Sequence, residues 1–543
     1  MVDRRTKGRP VRASRSGRAV VFSLLCAALV SAACGGGASK DAPTSPTTPT
    51  TPATPTTPTG RPVLPATYRA TGRAAAGDVF VQLFSWYWTD VGNECTRVLG
   101  PLGYRAALVS PPQEHNVYAG DPWSERYGPV SYSIDRSRSG TRAEFIDMVA
   151  KCRAAGVDVY VDAVINHMAP GNGTATMTGS NGTVFSRYNY QPLYGPSDFH
   201  SACALTNYQS AANVQDCELL GLPDLDTGSP TVRQKIADYL IGLTRLGVAG
   251  FRIDAAKHIQ PVELDSIVAL VNRAASAEGR AVPYFFLEVI DPGTEAVKAA
   301  DYFGLGYTTG GAADITEFNF RAVGERFRAG SGKRAAELSS FTARTWGLMS
   351  ADKAVVFLQN HDTQRSDGVD YRDGAAYRLA NVWMLGQDYG YPVVMSGYAF
   401  DRATQAGRDA GPPNPGSFSC ASSWESAIVG QWTCEHRDAW IAAMVAFRKA
   451  MAGTTVTRLW DNSGDAVAYM RGDKGWVMLN AGATNVTATI ATGLPAGTYC
   501  DVLTGGKIAA ACAGRSVVIA ADGTTTITLG AQSALAIHTG HKL

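Results

Sequence analysis

Four short segments of this sequence place acidic side chains at the ends of apolar runs, and three of the four also contain basic or amide side chains. They are DAVINH (162–167), GFRIDAAKH (250–258), FFLEV (285–289) and FLQNHD (357–362). Carboxyl pairs in two different environments can cleave glycosidic bonds, because one carboxylate attacks the sugar while a protonated partner gives its proton to the leaving oxygen. The four segments therefore predict an acid–base site assembled from residues far apart in the chain.

Asp254 and Glu288 are the two carboxyls that their neighbours distinguish. Side chains alternate along a strand, so Arg252 and Asp254 point to the same side of theirs. We expect the guanidinium to lower the pKa of Asp254 and keep this carboxylate ionised, as a nucleophile requires. Glu288 follows YFFL, an apolar run that favours the protonated form of a carboxyl, as a proton donor requires. Asp362 adds a third acid that can orient substrate hydroxyls.

Aromatic residues precede these acids in the chain, and their faces can stack on the apolar faces of sugar rings. They are Trp86, Tyr87, Trp88, Tyr118, Trp123 and Tyr127. Taken singly, each feature also has a structural explanation, such as a buried ion pair, a buried histidine or an aromatic core. The coincidence of four polar clusters favours a catalytic site.

The four segments lie at the ends of predicted strands. From about Asp78, amphipathic helical stretches are interspersed among eight apolar runs: VFVQLFSW, YRAALVSPP, VDVYVDAVIN, VAGFRID, VPYFFLEVI, DITEFNF, KAVVFLQNHD and GYPVVMSG. Continuous apolar strands are typical of parallel sheets buried on both faces, so this α/β pattern predicts a (β/α)8 TIM barrel. The active site of such a barrel forms at the carboxyl ends of its strands. An open doubly wound sheet is the alternative that the pattern leaves open.

The predicted barrel domain comprises residues 71–167 and 229–453. An inserted loop-rich domain, residues 168–228, follows the third strand and is rich in Gly, Asn, Tyr and Ser. A loop of this length inside a compact fold is usually functional. From residue 454 to residue 543 short strands alternate with turns, which predicts a C-terminal all-β sandwich domain.

Residues 1–34 predict an export signal. Basic residues precede the apolar run AVVFSLLCAALV, and small residues lead to Cys34, which resembles a lipoprotein cleavage site where the cysteine carries lipid. Secretion without lipid is the alternative. Residues 35–70 form a Pro/Thr-rich linker that would hold a domain clear of a cell surface. We therefore expect an exported protein, either on the cell surface or extracellular, that contacts a membrane only through this anchor.

Composition and cysteine content further restrict the class of protein and its partners. The excess of Lys and Arg over Asp and Glu is only +2, so we expect no nucleic-acid partner. Ten cysteines are present, and the signal segment contains two of them, Cys26 and Cys34. In an exported chain without CxxC spacing, the others favour disulfides over zinc. In sequential order they form the couples Cys95–Cys152, Cys203–Cys217, Cys420–Cys434 and Cys500–Cys512, although order alone does not prove the pairing.

The four opening segments, in this order and at this spacing, resemble the motifs of glycoside hydrolase family 13. With GLPDLD (221–226) they make the chain similar, from about Asp78 onward, to secreted α-amylases of the animal and Streptomyces type. The resemblance implies a retaining double displacement, with Asp254 as nucleophile, Glu288 as general acid/base and Asp362 as transition-state stabiliser. It also supports the sequential cysteine pairing.

The resemblance implies ligand-binding residues as well. Those for substrate fall on Arg252, His167, His361, Asp162, Tyr127, Trp123, Lys257 and His258. Calcium would be held by Asn166, Asp224 and the backbone carbonyls of Gln215 and His258. Oxygen ligands suit this hard cation, which would pin the inserted domain to the barrel.

The sequence departs from the family pattern in three places. Chloride-activated members hold the anion with residues matching Arg252 and Asn360 and with a basic residue at the position of Val393. Valine cannot coordinate chloride, so we expect chloride independence. The paired tryptophans of the animal enzymes become Trp123 and Ser124, which alters one stacking subsite. After FLQNHD, the sequence TQRSDGVDYRDG replaces the Gly-rich loop of the animal enzymes.

The predicted function is endo-hydrolysis of α-1,4 bonds in starch, glycogen and related α-glucans by a monomeric enzyme. One alternative is a family member that forms a defined maltooligosaccharide or transglycosylates. Another is a non-catalytic glucan-binding lipoprotein of the cell surface. The intact carboxylates weigh against the last, because binding alone does not need them.

Overall fold

The computed structural model describes residues 72–414 and 418–543. The predicted signal segment, linker and lipid-bearing Cys34 lie outside these ranges. Within them, no helix is both long enough and apolar enough to cross a membrane.

Eight parallel strands close into a barrel, each paired with its neighbours in the chain and the last paired with the first. They are β1 Phe80–Leu83, β2 Ala106–Val109, β3 Asp158–Ala163, β4 Gly250–Ile253, β5 Tyr284–Leu287, β6 Ala313–Glu317, β7 Ala354–Val356 and β8 Tyr391–Ser396. The prediction of a TIM barrel is confirmed, and the open sheet is excluded.

Alternate residues of each strand face two different cores. The inside of the barrel is filled largely by aromatic side chains, among them Phe80, Tyr160 and Phe286. Phe251 and Ile253 belong to the larger core outside the barrel. Arg252, which lies between them on β4, therefore faces inward, as the period of two predicts.

The described chain contains six longer helices, several of which begin at recognisable signals. They are α1 Trp88–Glu94, α2 Arg142–Ala154, α3 Pro230–Arg245, α4 Pro261–Ala277, α5 Ala375–Gly386 and α6 Ala439–Ala450. A capping box starts α2, in which Glu144 N donates to the hydroxyl of Thr141 and the Glu144 carboxylate accepts from Thr141 N. Proline is the first residue of α3 and α4, where its fixed φ suits the first turn.

The connections on either side of β6 differ from the regular crossover helices that a TIM barrel predicts. They contain short 3-10 turns, Ala299–Asp301, Tyr307–Thr309, Phe318–Arg326 and Ala335–Ser340. Glycines with positive φ interrupt them, for example Gly306 (φ 80°) and Gly310 (φ 84°). Such residues favour turns over continuous helix, so these connections stay irregular.

The inserted segment between β3 and α3 contains little regular structure. It includes the strand pair Met177–Thr178 and Val184–Phe185 and the short helix Ala211–Gln215. Glu114, which is buried, accepts hydrogen bonds from the backbone N–H groups of Asn181 (3.1 Å) and Thr183 (2.9 Å). One carboxylate thus fixes the turn of this strand pair.

Four disulfides cross-link the described chain. They join Cys95 to Cys152, Cys203 to Cys217, Cys420 to Cys434 and Cys500 to Cys512. These are the couples expected from their order and from the family resemblance. Disulfides of this kind persist in oxidising compartments, which is consistent with export.

The C-terminal domain is built from antiparallel strands, as predicted. They are β9 Val456–Asp461, β10 Ala466–Arg471, β11 Gly475–Asn480, β12 Val486–Ala491, β13 Gly497–Cys500, β14 Ser516–Ile519, β15 Thr524–Leu529 and β16 Ser533–His538. A four-stranded sheet, in the order β9-β10-β11-β16, packs against the pairs β12–β15 and β13–β14. Trp476, Leu529 and Ile537 lie in the shared core.

Two buried arginines lie at the junction of this domain and the barrel, and one of them, Arg471, joins the two. Arg471 on β10 donates from Nη1 to the carbonyl of Gly386, the last residue of α5, at 2.6 Å. Arg448 on α6 donates from Nη2 to Gly390 O at 2.6 Å and from Nη1 to Gln387 O. Both guanidinium groups therefore satisfy carbonyls at or just beyond the end of a barrel helix.

Candidate active site

One guanidinium organises the carboxyl ends of three neighbouring strands. Arg252, only 3% exposed, places Nη1 at 2.6 Å from Asp162 Oδ1 and 3.1 Å from Asp254 Oδ1. Its Nη2 lies 2.9 Å from Glu288 Oε1. The strand register sets Asp162 beside Arg252, so these side chains meet because their strands are adjacent.

The carboxyls of Asp254 and Glu288 do not have the opposite environments that the sequence predicts. Burial and the charge of Glu288 raise the pKa of Asp254 well above its ordinary value, and together they outweigh Arg252. Glu288 has polar neighbours, since its Oε1 pairs with Arg252 and its Oε2 accepts a hydrogen bond from Ala255 N at 2.8 Å. The prediction of a lowered pKa for Asp254 was wrong because it considered neighbours in the chain and not the charge of Glu288, which follows an adjacent strand. The role of Glu288 as proton donor stays a prediction.

The residue that follows Asp254 has an unusual backbone conformation. Ala255 adopts a left-handed φ of 50°, which residues other than glycine rarely occupy. Its N–H donates to Glu288, and the N–H of Lys257 donates to the Glu288 carbonyl at 3.1 Å. Strained backbone of this kind clusters at functional sites, and here it holds one carboxylate in place.

Asp362 stands beside a histidine of defined tautomer. Gln82 Nε2 donates to His361 Nδ1 at 3.1 Å, which assigns the ring proton to Nε2, the atom 3.3 Å from Asp362 Oδ2. Burial lowers the pKa of His361 well below its ordinary value, so this ring is neutral. Burial and Glu288 raise the pKa of Asp362 to about 7, against the opposing charges of Arg252 and Arg365.

An aromatic wall adjoins these acids. The His361 ring lies between Phe84 at 4.8 Å and Tyr127 at 5.0 Å, with both pairs stacked. Tyr127 donates from its hydroxyl to Asp162 Oδ2 at 2.9 Å, and the Trp123 ring lies 5.8 Å from the Tyr127 ring. These contacts bring two of the six predicted stacking residues together with the predicted acids. Trp86 and Trp88 instead lie in the core, in contact with Trp432 and Phe145.

The predicted residues His167, Lys257 and His258 are also buried near this mouth. The Nε2 atom of His167 is 3.0 Å from Tyr127 O, and burial lowers the pKa of His167 to about 4. Lys257 Nζ donates to Ile290 O at 2.6 Å and pairs with the Glu295 carboxylate. The ammonium of Lys257 is thus held by protein oxygens.

Two contacts connect the segments that contain the predicted calcium ligands. Asn166 Nδ2 donates to Asp224 Oδ1 at 3.2 Å, and the His258 ring lies 2.8 Å from the carbonyl of Val214, next to Gln215. The described ranges contain no cluster of three or more His, Cys, Asp or Glu side chains that could hold a metal. A buried carboxylate with a side-chain amide beside it nevertheless suits calcium, which prefers oxygen ligands.

Sequence reasoning missed several residues that shape the site. Gln82 and Phe84 orient His361 from β1 and the residue just after it, and Glu295 pairs with Lys257. Arg365, three residues after Asp362, is also buried. Gln82 was detectable, because a polar side chain in the buried run FVQL needs a partner.

Comparison with known proteins identifies the family of the chain. Residues 116–403 match the family model of the alpha amylase catalytic domain, and residues 460–540 match that of the alpha amylase C-terminal all-beta domain. An alpha-amylase of Tenebrio molitor is 40% identical over 87% of this chain and 99% of its own. One of Streptomyces violaceus is 41% identical over 88% of this chain and 78% of its own.

A solved structure is similar as well. A mutant of alpha-amylase I from Eisenia fetida, in complex with maltohexaose, superposes with a TM-score of 0.76 at 36% identity. The match covers 85% of this chain and 97% of the other.

Replacing Asp362 by Asn should stabilise the fold more at pH 8 than at pH 5. The pKa of Asp362 in the folded protein is about 7, whereas its ordinary pKa is 3.8. The contribution of this carboxyl to the free energy of unfolding is therefore lost as the pH rises between these two values. We expect Asp362→Asn to gain about 1 kcal/mol or more at pH 8. Apparent unfolding temperatures of both proteins at the two pH values measure this, and an equal difference at both would contradict it.

Proposed function

The chain belongs to the α-amylase family and is a glycoside hydrolase, and on this premise we propose that it cleaves internal α-1,4 bonds of starch, glycogen and related glucans with retention of configuration. The observation that carries the assignment of residues is the binding of Asp254 and Glu288 by the single guanidinium of Arg252. Retaining glycosidases hold their two carboxyl groups about 5 Å apart. Two carboxylates on one guanidinium suit so short a separation.

The first step forms a covalent intermediate. Asp254 attacks the anomeric carbon while Glu288 gives its proton to the glycosidic oxygen, so that the bond to the leaving chain breaks. Asp254 must be ionised for this attack, and Arg252 Nη1 at 3.1 Å favours the ionised form against the effect of burial. When Glu288 carries the proton that it will donate, it no longer adds the negative charge that raises the pKa of Asp254. Ala255 N fixes the Glu288 carboxyl beside the bond that is cleaved.

The second step releases the sugar. Water gives a proton to Glu288 and attacks the anomeric carbon, and the ester to Asp254 breaks. Two inversions at one carbon restore the original configuration. Glu288 regains the proton that it donated in the first step, so the enzyme returns to its starting state.

The remaining residues of the site bind the sugar. Asp362 and the neutral His361 are placed to hydrogen-bond ring hydroxyls, contacts that strengthen as charge develops on the sugar. Tyr127 and Trp123 offer aromatic faces beneath it, and His167, Lys257 and His258 line the adjoining positions. The substrate class is supported by the maltohexaose bound to the related Eisenia fetida enzyme.

Members of the family usually bind calcium, and we assign the ligands to Asn166, Asp224 and the carbonyls of Gln215 and His258. Asp224 is 3% exposed, and its partners Asn166 and His200 hold it at the junction of barrel and inserted segment. A divalent cation there would place positive charge beside this buried carboxylate, and it would thereby join the barrel to the inserted segment.

The same proposal covers the location of the enzyme. We assign residues 1–34 to an export signal and Cys34 to a lipid anchor, with the Pro/Thr-rich linker as the tether of a monomeric catalytic unit. The four disulfides support an oxidising destination. Release into the medium without lipid is the alternative, and mass analysis of the mature N-terminus distinguishes the two.

Replacing Glu288 by Gln tests the catalytic assignment. The amide cannot donate or accept the proton, so hydrolysis of amylose and of a blocked maltooligosaccharide should fall by about 10³-fold while maltohexaose binding persists. Glu278→Gln, an exposed site, serves as the matched control and should keep full activity. Unchanged hydrolysis in Glu288→Gln would refute the assignment, and product analysis of the wild type separates endo-cleavage from a maltooligosaccharide-forming or transglycosylating enzyme.

Removal of calcium should destabilise the fold through Asp224. A chelator should lower the apparent unfolding temperature of the wild type by about 5 °C, whereas Asp224→Asn should unfold at a low temperature with or without chelator. Asp226→Asn, two residues away and more exposed, is the control and should respond to the chelator as the wild type does. A wild type whose unfolding ignores the chelator would contradict the site.

Chloride should not activate the enzyme. Val393 lies on β8 in the apolar core inside the barrel, where it offers no charge to an anion. Initial rates in chloride and in sulfate at equal ionic strength should therefore agree within about twofold. An activation of tenfold or more by chloride would disprove this reading of Val393.

A further inference from the structure

Arg365 is a buried cation beside the acids that the mechanism above leaves without a role. Its side chain is 9% exposed. In the part of the chain that the structure describes, its hydrogen bonds go to oxygens of neutral groups: Nε to Arg408 O at 3.0 Å, Nη2 to the Tyr398 hydroxyl at 3.0 Å, and Nη1 to His361 O. Its charge is therefore not cancelled by a carboxylate within hydrogen-bonding distance.

The plane of this guanidinium is packed between aromatic rings. Its central carbon lies 4.4 Å from the Trp123 ring centroid and 4.5 Å from that of Phe400, with Phe84 at 5.3 Å. Planar cations stack on aromatic faces, an arrangement that a lysine cannot reproduce. Trp123 comes from the loop after β2 and Phe400 from the segment after β8, so Arg365 joins two sides of the barrel mouth.

The same residue binds the turn that carries Asp362, through both its backbone and its side chain. Arg365 N donates to Asp362 O at 3.0 Å, and Nη1 binds the carbonyl of His361. One residue therefore contacts a proposed stacking platform and the backbone of two proposed sugar-binding residues. A shift of this turn would move the third acid relative to Asp254 and Glu288.

We propose that Arg365 is a positioning residue of the hydrolytic reaction, whose planar guanidinium orients Trp123 and the His361–Asp362 turn. This inference rests on the function proposed above. The positive charge lowers the pKa of Asp362 and thereby opposes burial and Glu288. The charged or titratable groups that face Asp362 are Glu288, Arg252, Asp162, Asp254, Tyr127, His361 and Arg365.

Two substitutions separate orientation from charge. Arg365→Met removes both the planar guanidinium and its charge. Loss of the planar group should raise KM for maltohexaose about fivefold, and loss of the charge should move the acid limb of the pH profile of kcat/KM to higher pH by about 0.5 unit or more. Arg365→Lys keeps the charge and loses the planar group, so KM should rise while the acid limb stays in place.

Arg372→Met is the matched control. Arg372 also lies over the Phe400 ring, at 4.5 Å, but its guanidinium is paired with Asp370 at 2.6 Å. This variant should change neither KM nor the acid limb. Apparent unfolding temperatures of all three variants show how much each change costs the fold.

Two results would overturn the proposal. One is an Arg365→Met enzyme whose rate falls equally at every pH with KM unchanged, since a merely structural residue behaves so. The other is an Arg365→Lys enzyme with wild-type KM, and this arm decides the matter even if Arg365→Met does not fold. Failure of the catalytic assignment itself is distinguished by the retained activity of Glu288→Gln.

Discussion

The structure of the barrel mouth depends on a single buried cation. Arg252 binds three carboxylates through two nitrogen atoms, and each of these four side chains would be costly to bury alone. A buried charge that loses its partner destabilises a fold by several kcal/mol, typically about 3 to 5. The acids of the site are therefore held together by the same interaction that makes their burial tolerable.

The aromatic wall is attached to this centre through Asp162. The hydroxyl of Tyr127 donates to the carboxylate oxygen of Asp162 that Arg252 leaves open, and the Tyr127 ring in turn stacks on His361. The stacking surface and the acids thus share one network of contacts. Arg365 adds a second connection to this network, because it lies over the Trp123 ring and donates a hydrogen bond to the carbonyl of His361.

Much of the fold was predictable because it follows from local patterns. Eight apolar runs identified the eight strands, and the period of two placed Arg252 inside the barrel and Phe251 outside it. The protonation of the acids was not predictable in the same way. The pKa of Asp254 depends on Glu288, which reaches it from another strand, and a sequence pattern does not give that distance. The 3-10 connections around β6 and the partners of Arg365 likewise depend on packing between distant segments.

The arginines at the junction of the two domains show how closely the structure is connected at the domain boundary that the sequence predicts. Strand patterns set a boundary near residue 454, yet the carbonyls that end α5 are satisfied by Arg471 of the β domain and by Arg448 of the last barrel helix. A barrel cut at that boundary would keep its strands and lose donors to buried carbonyls. The β domain therefore supplies, through Arg471, hydrogen-bond donors that the end of a barrel helix needs, and the isolated barrel would have to leave those carbonyls unpaired or expose them to water.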